Sequence, residues 1–273
     1  MSSPQFGLLY RAQMRSQLFA ARPPIVLELV ADHYLDATRA QRDELRLLRA
    51  HFPITLHALG ISIGSVEGID ARYVDRIARL AELVRPLWVS DHLAFTRAGG
   101  VDIGAFAPLP RTAAAIATVA RNVARVRRAL GVPFALENPA APFDVAGAAL
   151  EAGAFLAAVA ESADCGLVVD VENLHADAWN LGLDANATID ALPPHRVMEV
   201  HVAGGRRLGG EYADSHDAPV GEPTWRLYER LCARVAPPLT VLERETALPP
   251  LSALLAELDV ARACCARARA IAA

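Results

Sequence analysis

The chain has 273 residues, with 27 cationic and 31 anionic side chains and a net charge of −4. All the cations are arginine, and the absence of lysine excludes a Schiff base with a substrate aldehyde or pyridoxal phosphate, a P-loop lysine and a lysine general base. The alanine-rich composition makes codon bias the plainest reason for that absence, and the exclusion holds either way.

In chain order, short apolar runs alternate with longer amphipathic ones. Strands are predicted over residues 6–10 and 25–30, then a helix over 38–50, a strand over 54–57 and a helix over 70–84. In that helix Ile77, Leu80, Ala81 and Val84 share one face, with Arg76, Arg79 and Glu82 on the others. A strand over 87–91, a helix over 111–130, a strand over 134–137 and a helix over 145–162 follow. Strands over 167–171 and 197–202 come next, then a long glycine-rich polar loop over 204–223, a helix over 222–235, a strand over 239–243 and a helix over 250–270. Pro53, Pro86, Pro133 and Pro238 fall just before strand starts, where proline is tolerated. Eight strands at about 34 residues per unit predict an α/β fold, a TIM-like (β/α)8 barrel, as one domain over 1–273 with a C-terminal helix over 250–270.

The ionisable residues fall on this frame in a repeated way. The second strand carries Glu28 (IVLELV) and the third ends at His57 (ITLHALG). The fourth ends at Asp91 with His92 next (WVSDHL), and the fifth ends at Glu137 (FALENP). The sixth holds Asp170 (LVVDVEN), the seventh His201 (MEVHVAG), and the eighth ends at Glu243 (LTVLERE). A charge at the inner wall of a closed barrel is costly unless paired or metal-bound, and active sites assemble at the C-terminal strand ends. His57, His92, Glu137, Asp170, His201 and Glu243 offer three imidazoles and three carboxylates. Crowded carboxylates repel one another, and divalent cations remove that difficulty while leaving positions open for water, O2 or substrate. The alternative is a set of satisfied polar core groups.

A second group follows in the long loop. Asp214 and His216 lie two apart, a spacing that aims both side chains the same way in extended chain, and Asn173 sits three beyond Asp170. Together they suggest a third metal; a turn closed by Asp–backbone bonds is the alternative. Glu28, His33 and Asp91 are candidates to support the ligands or touch substrate, and His175 is either a ligand or a surface residue. His51 and His195 precede strands, at the opposite end of the barrel, and read as structural.

The segments LELVADHYLD, TLHALGISIGS, VSDHLAF, ALENP, DVENL, EVHVAGG, DSHDAPV and LERE, in order from about Phe6 to Glu245, resemble the multinuclear non-heme iron-dependent oxidative enzymes. That family includes the methanobactin and 3-thiaglutamate biosynthesis enzymes. The resemblance implies a xylose-isomerase-like barrel holding two to three iron ions, mixed Fe(II)/Fe(III), with O2 as co-substrate. His57, His92, Glu137, Asp170, His201 and Glu243 would hold two irons, and Asn173, Asp214 and His216 the third. The implied reaction oxidises a residue of a ribosomally synthesised precursor peptide, most often cysteine and in other cases a C-terminal aspartate. A small leader-peptide-binding partner protein is implied as well. Two positions depart from the pattern: Glu172 stands where many relatives have asparagine, and Gly205 where many have histidine. Glu172 would place an extra carboxylate near the third metal, and Glu172 and His175 are possible additional ligands.

Other readings use the same barrel. Metal-dependent sugar isomerases or epimerases share this ligand style, but their hydride-shift members use a lysine near the metal. Trinuclear zinc phosphodiesterases bind nucleic acid, against which the net acidity weighs; arginines gather without nearby acids only at Arg121, Arg125, Arg127 and Arg128. An iron store or carrier would need closed coordination spheres. Met1 to Arg15 lacks an export signal and no run of ~20 apolar residues occurs, so a cytoplasmic protein with reduced buried thiols at Cys165, Cys232, Cys264 and Cys265 is expected. Neither a nucleic-acid nor a membrane partner is expected.

Overall fold

The computed structural model describes residues 4–272. The chain forms strands β1 (Gln5–Leu9), β2 (Val26–Val30), β3 (Ile54–His57), β4 (Val89–His92), β5 (Ala94–Ala98), β6 (Val101–Pro108), β7 (Phe134–Glu137), β8 (Gly166–Asp170), β9 (Val197–Val202), β10 (Arg206–Leu208), β11 (Glu211–Ala213) and β12 (Leu239–Leu242). Eight of them close a parallel barrel in the order β1-β12-β9-β8-β7-β4-β3-β2. The remaining four make two antiparallel hairpins, β5 with β6 and β10 with β11. The helices are α1 (Arg15–Ala21), α2 (Arg39–His51), α3 (Ala71–Val84), α4 (Ala113–Leu130), α5 (Ala152–Ala163), α6 (Val171–Leu181), α7 (Ala185–Ala191), α8 (Glu222–Val235) and α9 (Leu251–Ala272). This is the (β/α)8 barrel that the strand count predicts. Among the described residues no helix is long and apolar enough to cross a membrane.

Local chemistry sets the element ends. Thr38 opens α2 with a capping box, accepting from the Gln41 backbone N–H while the Gln41 side chain accepts from the Thr38 N–H. Asp70 caps α3 and Thr112 caps α4. Asp170 ends β8 and at once caps α6 through the Asn173 N–H, so Val171 starts a helix rather than closing the predicted 167–171 strand. The predicted 145–162 helix begins only at Ala152. Gly147 takes φ +81°, a left-handed conformation that interrupts a right-handed helix, and Glu151 is extended. Helices α1, α6 and α7 and the two hairpins are not among the predicted elements; the 204–223 loop contains the β10/β11 hairpin.

Two separate cores result. A large one fills the space between barrel and helices, with Leu27, Leu56, Leu136, Val159, Leu231 and Leu258 fully or almost fully buried. A small one, Val26, Leu239 and Val241 with Trp88 against it, plugs the barrel. Strand alternation places Glu28 on the same face as Val26, and Glu243 on the same face as Leu239 and Val241. Above the plug the register aligns His92 with Glu137, Asp170 with His201 and Val30 with His57, so the polar strand ends form one tier.

Gly153 lets α5 lie against α7. A Cβ there would sit 2.7 Å from the Thr188 carbonyl oxygen and 2.8 Å from the Ala191 Cβ. Gly153→Ala is expected to lower stability by about 1–3 kcal/mol through overpacking, read as a lower urea midpoint at unchanged slope.

Candidate metal centre

The C-terminal tier of the barrel encloses a cavity of about 360 Å³, lined by His57, His92, Glu137, Asn173, Asp214, His216 and Glu243. Asp170 and His201 lie behind this lining and are completely buried. Leu59, Phe106, Pro139 and Ala140 give it partly apolar walls.

Glu137 is the hub of the first group. Its Oε2 lies 3.3 Å from His57 Nε2, 3.8 Å from His92 Nε2 and 3.5 Å from His201 Nδ1. The second group centres on Glu243 and His216. His216 Nδ1 is 3.0 Å from Glu243 Oε2, its Nε2 is 2.6 Å from Asp214 Oδ1 and 3.8 Å from Asp170 Oδ2, and His201 Nδ1 is 3.6 Å from Glu243 Oε2. Four sets each offer ligand atoms within 4.8 Å of one another: His57 with His92 and Glu137; Glu137 with Asp170 and His201; Asp170 with His216 and Glu243; and, deeper in the barrel, Glu28 with Glu199 and His201. Shared members link the sets into one continuous cluster of candidate ligands.

Whether these residues fit cations is tested by their hydrogen bonding. Glu137 Oε2, Asp170 Oδ2, Asn173 Oδ1 and His201 Nδ1 are buried without a hydrogen-bond partner, while His216 Nε2 and Asp214 Oδ1, 2.6 Å apart, pair with each other out of ideal hydrogen-bond geometry. Buried polar atoms ordinarily have partners, and unmatched oxygens and nitrogens converging on one another match a need for cations. The other half of several of these side chains is tied down. His57 Nδ1 is 2.8 Å from Ser90 Oγ, which leaves Nε2 toward Glu137. Asp170 uses Oδ1 to cap α6, leaving Oδ2 toward His216. The Asn173 amide donates to the Asn138 carbonyl at 3.0 Å, leaving its Oδ1 free. Asn138 also exchanges two 3.0 Å bonds with the Asp170 backbone, locking the end of β7 to β8. Asp91 accepts from the backbone N–H of Ile61 at 2.7 Å and of His92 at 2.6 Å, and its Oδ1 lies 3.5 Å from His92 Nδ1. The His92 ring stacks on Phe106 at 3.8 Å.

Burial and mutual charge divide the protons. Burial opposes ionisation of Glu137, yet the rings of His92, His201 and His57 hold its pKa down to about 2. Burial raises Glu28, and raises Asp170 and Glu199 well above the carboxylate range. His57 is pushed down to about 3 by burial. Burial also works against charge on His92, His201 and His216, but facing carboxylates outweigh it and raise all three.

Not every expected residue joins the site. Glu172 is fully buried but turned away: its Oε1 accepts from the Gly205 N–H at 2.6 Å and the Tyr212 hydroxyl at 2.5 Å, and its Oε2 accepts from the Thr224 hydroxyl. With these bonds made it braces the β10/β11 loop instead of facing a cation. His175 packs edge-on against Tyr212 and Trp179 outside the donor groups. His33 is exposed in the short 3-10 turn after β2 and lines no part of the cavity; its neighbour Asp32 instead accepts from the Leu59 N–H and the Tyr73 hydroxyl. Glu28 lies below the tier, 3.3 Å from His201 Nε2. His51 and His195 are exposed, and His195 pairs with Glu161. Sequence reasoning passed over Ser90, Asn138, Phe106 and Glu199. Period-two spacing within the strands marks Ser90, two before His92, and Glu199, two before His201. The sequence offers no such signal for Phe106.

Fold and site define a class: a xylose-isomerase-like barrel with a candidate multinuclear metal centre at its C-terminal face. Similar solved structures include a xylose isomerase domain protein from Planctomyces limnophilus, at 14% identity and TM-score 0.62 over 97% of this chain and 98% of that one. A D-psicose 3-epimerase from Clostridium cellulolyticum matches at 11% and 0.61 over 98% of each chain, and endonuclease IV from Thermus thermophilus at 19% and 0.57 over 96% and 98%. At such identities the likeness is one of fold. Within that class, the chain belongs to the RiPP precursor modification enzyme MbnB/TglH/ChrH family, whose model matches residues 5–266. Relatives include a UPF0276 protein of Rhizorhabdus wittichii, 37% identical over 96% of this chain and 95% of that one, and one of Caulobacter vibrioides, 35% identical over 94% and 93%.

Groups raised in the fold (His92, His201, His216, Asp170, Glu28 and Glu199) contribute stability in their protonated forms, lost as pH rises through their folded values. His57, Glu137 and Glu243 are shifted downward and no longer titrate above about pH 7. The metal-free protein is therefore expected to melt at progressively lower temperature as pH rises above the ordinary histidine value of about 6.5, and added divalent metal to reverse the trend; calorimetry of both forms checks this.

Proposed function

We propose that this chain is a multinuclear, non-heme iron oxidase that uses O2 to modify a residue of a ribosomally synthesised precursor peptide, cysteine or a C-terminal aspartate. The observation that carries the reading is the convergence of unmatched buried donors in a chain of a precursor-modifying family. In this reading His57, His92, Glu137, Asp170, His201 and Glu243 hold two irons, and Asn173, Asp214 and His216 hold a third. Iron in such a site supplies one-electron chemistry with O2 and a Lewis-acidic anchor for the substrate.

The chain's own residues do the rest. Glu137 and Glu243 stay ionised among the imidazoles and balance cationic charge. Ser90, Asn138 and the α6 cap fix ligand orientation before anything binds. Phe106, Leu59 and Pro139 narrow the wet surface around the reacting residue. The precursor reaches the cavity with the help of a small leader-peptide-binding protein. The absence of lysine weighs against a lysine-assisted isomerase on this barrel.

Protein purified without oxygen is expected to carry about two to three irons per chain and to consume O2 only with the precursor encoded by a neighbouring short reading frame. Zinc or manganese in place of iron, or no O2 uptake with that peptide, would overturn the assignment. His92→Ala and Glu137→Ala are each expected to lower bound iron and to cut turnover by ~10²-fold or more, measured by elemental analysis and peptide mass spectrometry.

A further inference from the structure

Beneath the candidate ligands the barrel holds a second polar layer. Glu28 and Glu199 are completely buried, and both oxygens of Glu28 and one of Glu199 lack a hydrogen-bond partner. Glu28 stands two residues beyond Val26 of the apolar plug on β2, and Glu199 is in register with Leu239 of the plug, where leucine or valine would be the ordinary occupant. Two buried acids in that position call for a reason, and the reason lies in what they face.

His201 hangs between two sets of carboxylates. Its Nδ1 faces upward, 3.5 Å from Glu137 and 3.6 Å from Glu243. Its Nε2 faces downward, 3.3 Å from Glu28 and 3.9 Å from Glu199. Below, Glu199 accepts a 2.7 Å bond from the Trp88 indole N–H, and Trp88 packs on the plug. His57 is held the other way round, with Nδ1 on Ser90 and Nε2 toward Glu137. The two rings thus present opposite nitrogens to the same carboxylate. A neutral imidazole has one N–H and one lone pair, so a lone pair on Nδ1 requires the proton on Nε2 and an acceptor for it.

We propose that Glu28, backed by Glu199 and Trp88, is a positioning residue that holds His201 with Nδ1 toward the metal centre. This rests on the metal-centre reading above. Carboxylates placed behind ligating histidines commonly fix ring orientation and tautomer, and removing them costs 10–100-fold in metal affinity.

The test uses full-length metal-free protein and cobalt(II), followed by visible absorption, in wild type, Glu28→Gln, Glu28→Leu and Trp88→Phe. Glu28→Gln keeps an acceptor and is expected to bind within ~3-fold of wild type, whereas Glu28→Leu should lose ~10–100-fold in one binding phase, with altered band intensity. Trp88→Phe, which only frees Glu199, should weaken the same phase by less. Nitrogen-15 NMR of the zinc-loaded wild type should find His201 bound through Nδ1 with the proton on Nε2. Unchanged cobalt affinity and spectrum in Glu28→Leu, or His201 bound through Nε2, overturns the inference. If Glu28→Leu fails to fold, an unchanged cobalt titration in Trp88→Phe together with Nε2 ligation does so. A wild type that gives no cobalt bands at all refutes the metal-centre reading itself, which separates the two failures.

Discussion

Carboxylates and imidazoles packed into one closed barrel end impose the condition that governs this molecule. Glu28, Glu137, Asp170, Glu199, Glu243 and His201 are all buried inside a ring of parallel strands, and among the described residues no arginine lines the cavity above them. Such a set is stable only where charges alternate, protons are shared or cations intervene. The matching register of β4 with β7 and of β8 with β9 makes that proximity unavoidable, because it puts His92 beside Glu137 and Asp170 beside His201.

Several donors in this set are divided between a structural task and an open one. One atom of His57, Asp170 or Asn173 is bound by Ser90, by the first turn of α6 or by Asn138, and the other is left for the cavity. The fold thereby meets backbone demands and orients ligands with the same few side chains. Much of the geometry is in place before any cation arrives, which lowers the reorganisation that binding requires.

The barrel was legible in the sequence because its strands are buried on both sides and read as apolar runs. The candidate ligands were legible because a charge ending such a run is conspicuous, as in TLH, ALE and VVD. The hairpins were not: β6 (VDIGAFAP) carries Val101, Ile103 and Phe106 but is mostly exposed and interrupted by Gly104 at φ +66°, and β10 is three exposed residues. Helix α6 was missed because Asp170 reads as the end of a strand while acting as a helix cap. The surroundings of Glu172 were hidden for another reason. Its neighbours in sequence are candidate ligands, but its hydrogen-bond partners, Gly205, Tyr212 and Thr224, lie more than thirty residues away.

Glu172 and Gly205 also carry a consequence for anyone grafting this loop. A Cβ at 205 would sit 2.4 Å from the Ala213 carbonyl oxygen, 2.7 Å from the Tyr212 ring and 2.9 Å from Glu172 Oε1, so the chain keeps this path only with glycine there. Glu172 ties the same loop through the Gly205 N–H and the Tyr212 hydroxyl. A graft that exchanges either residue should therefore misplace the segment bearing Asp214 and His216.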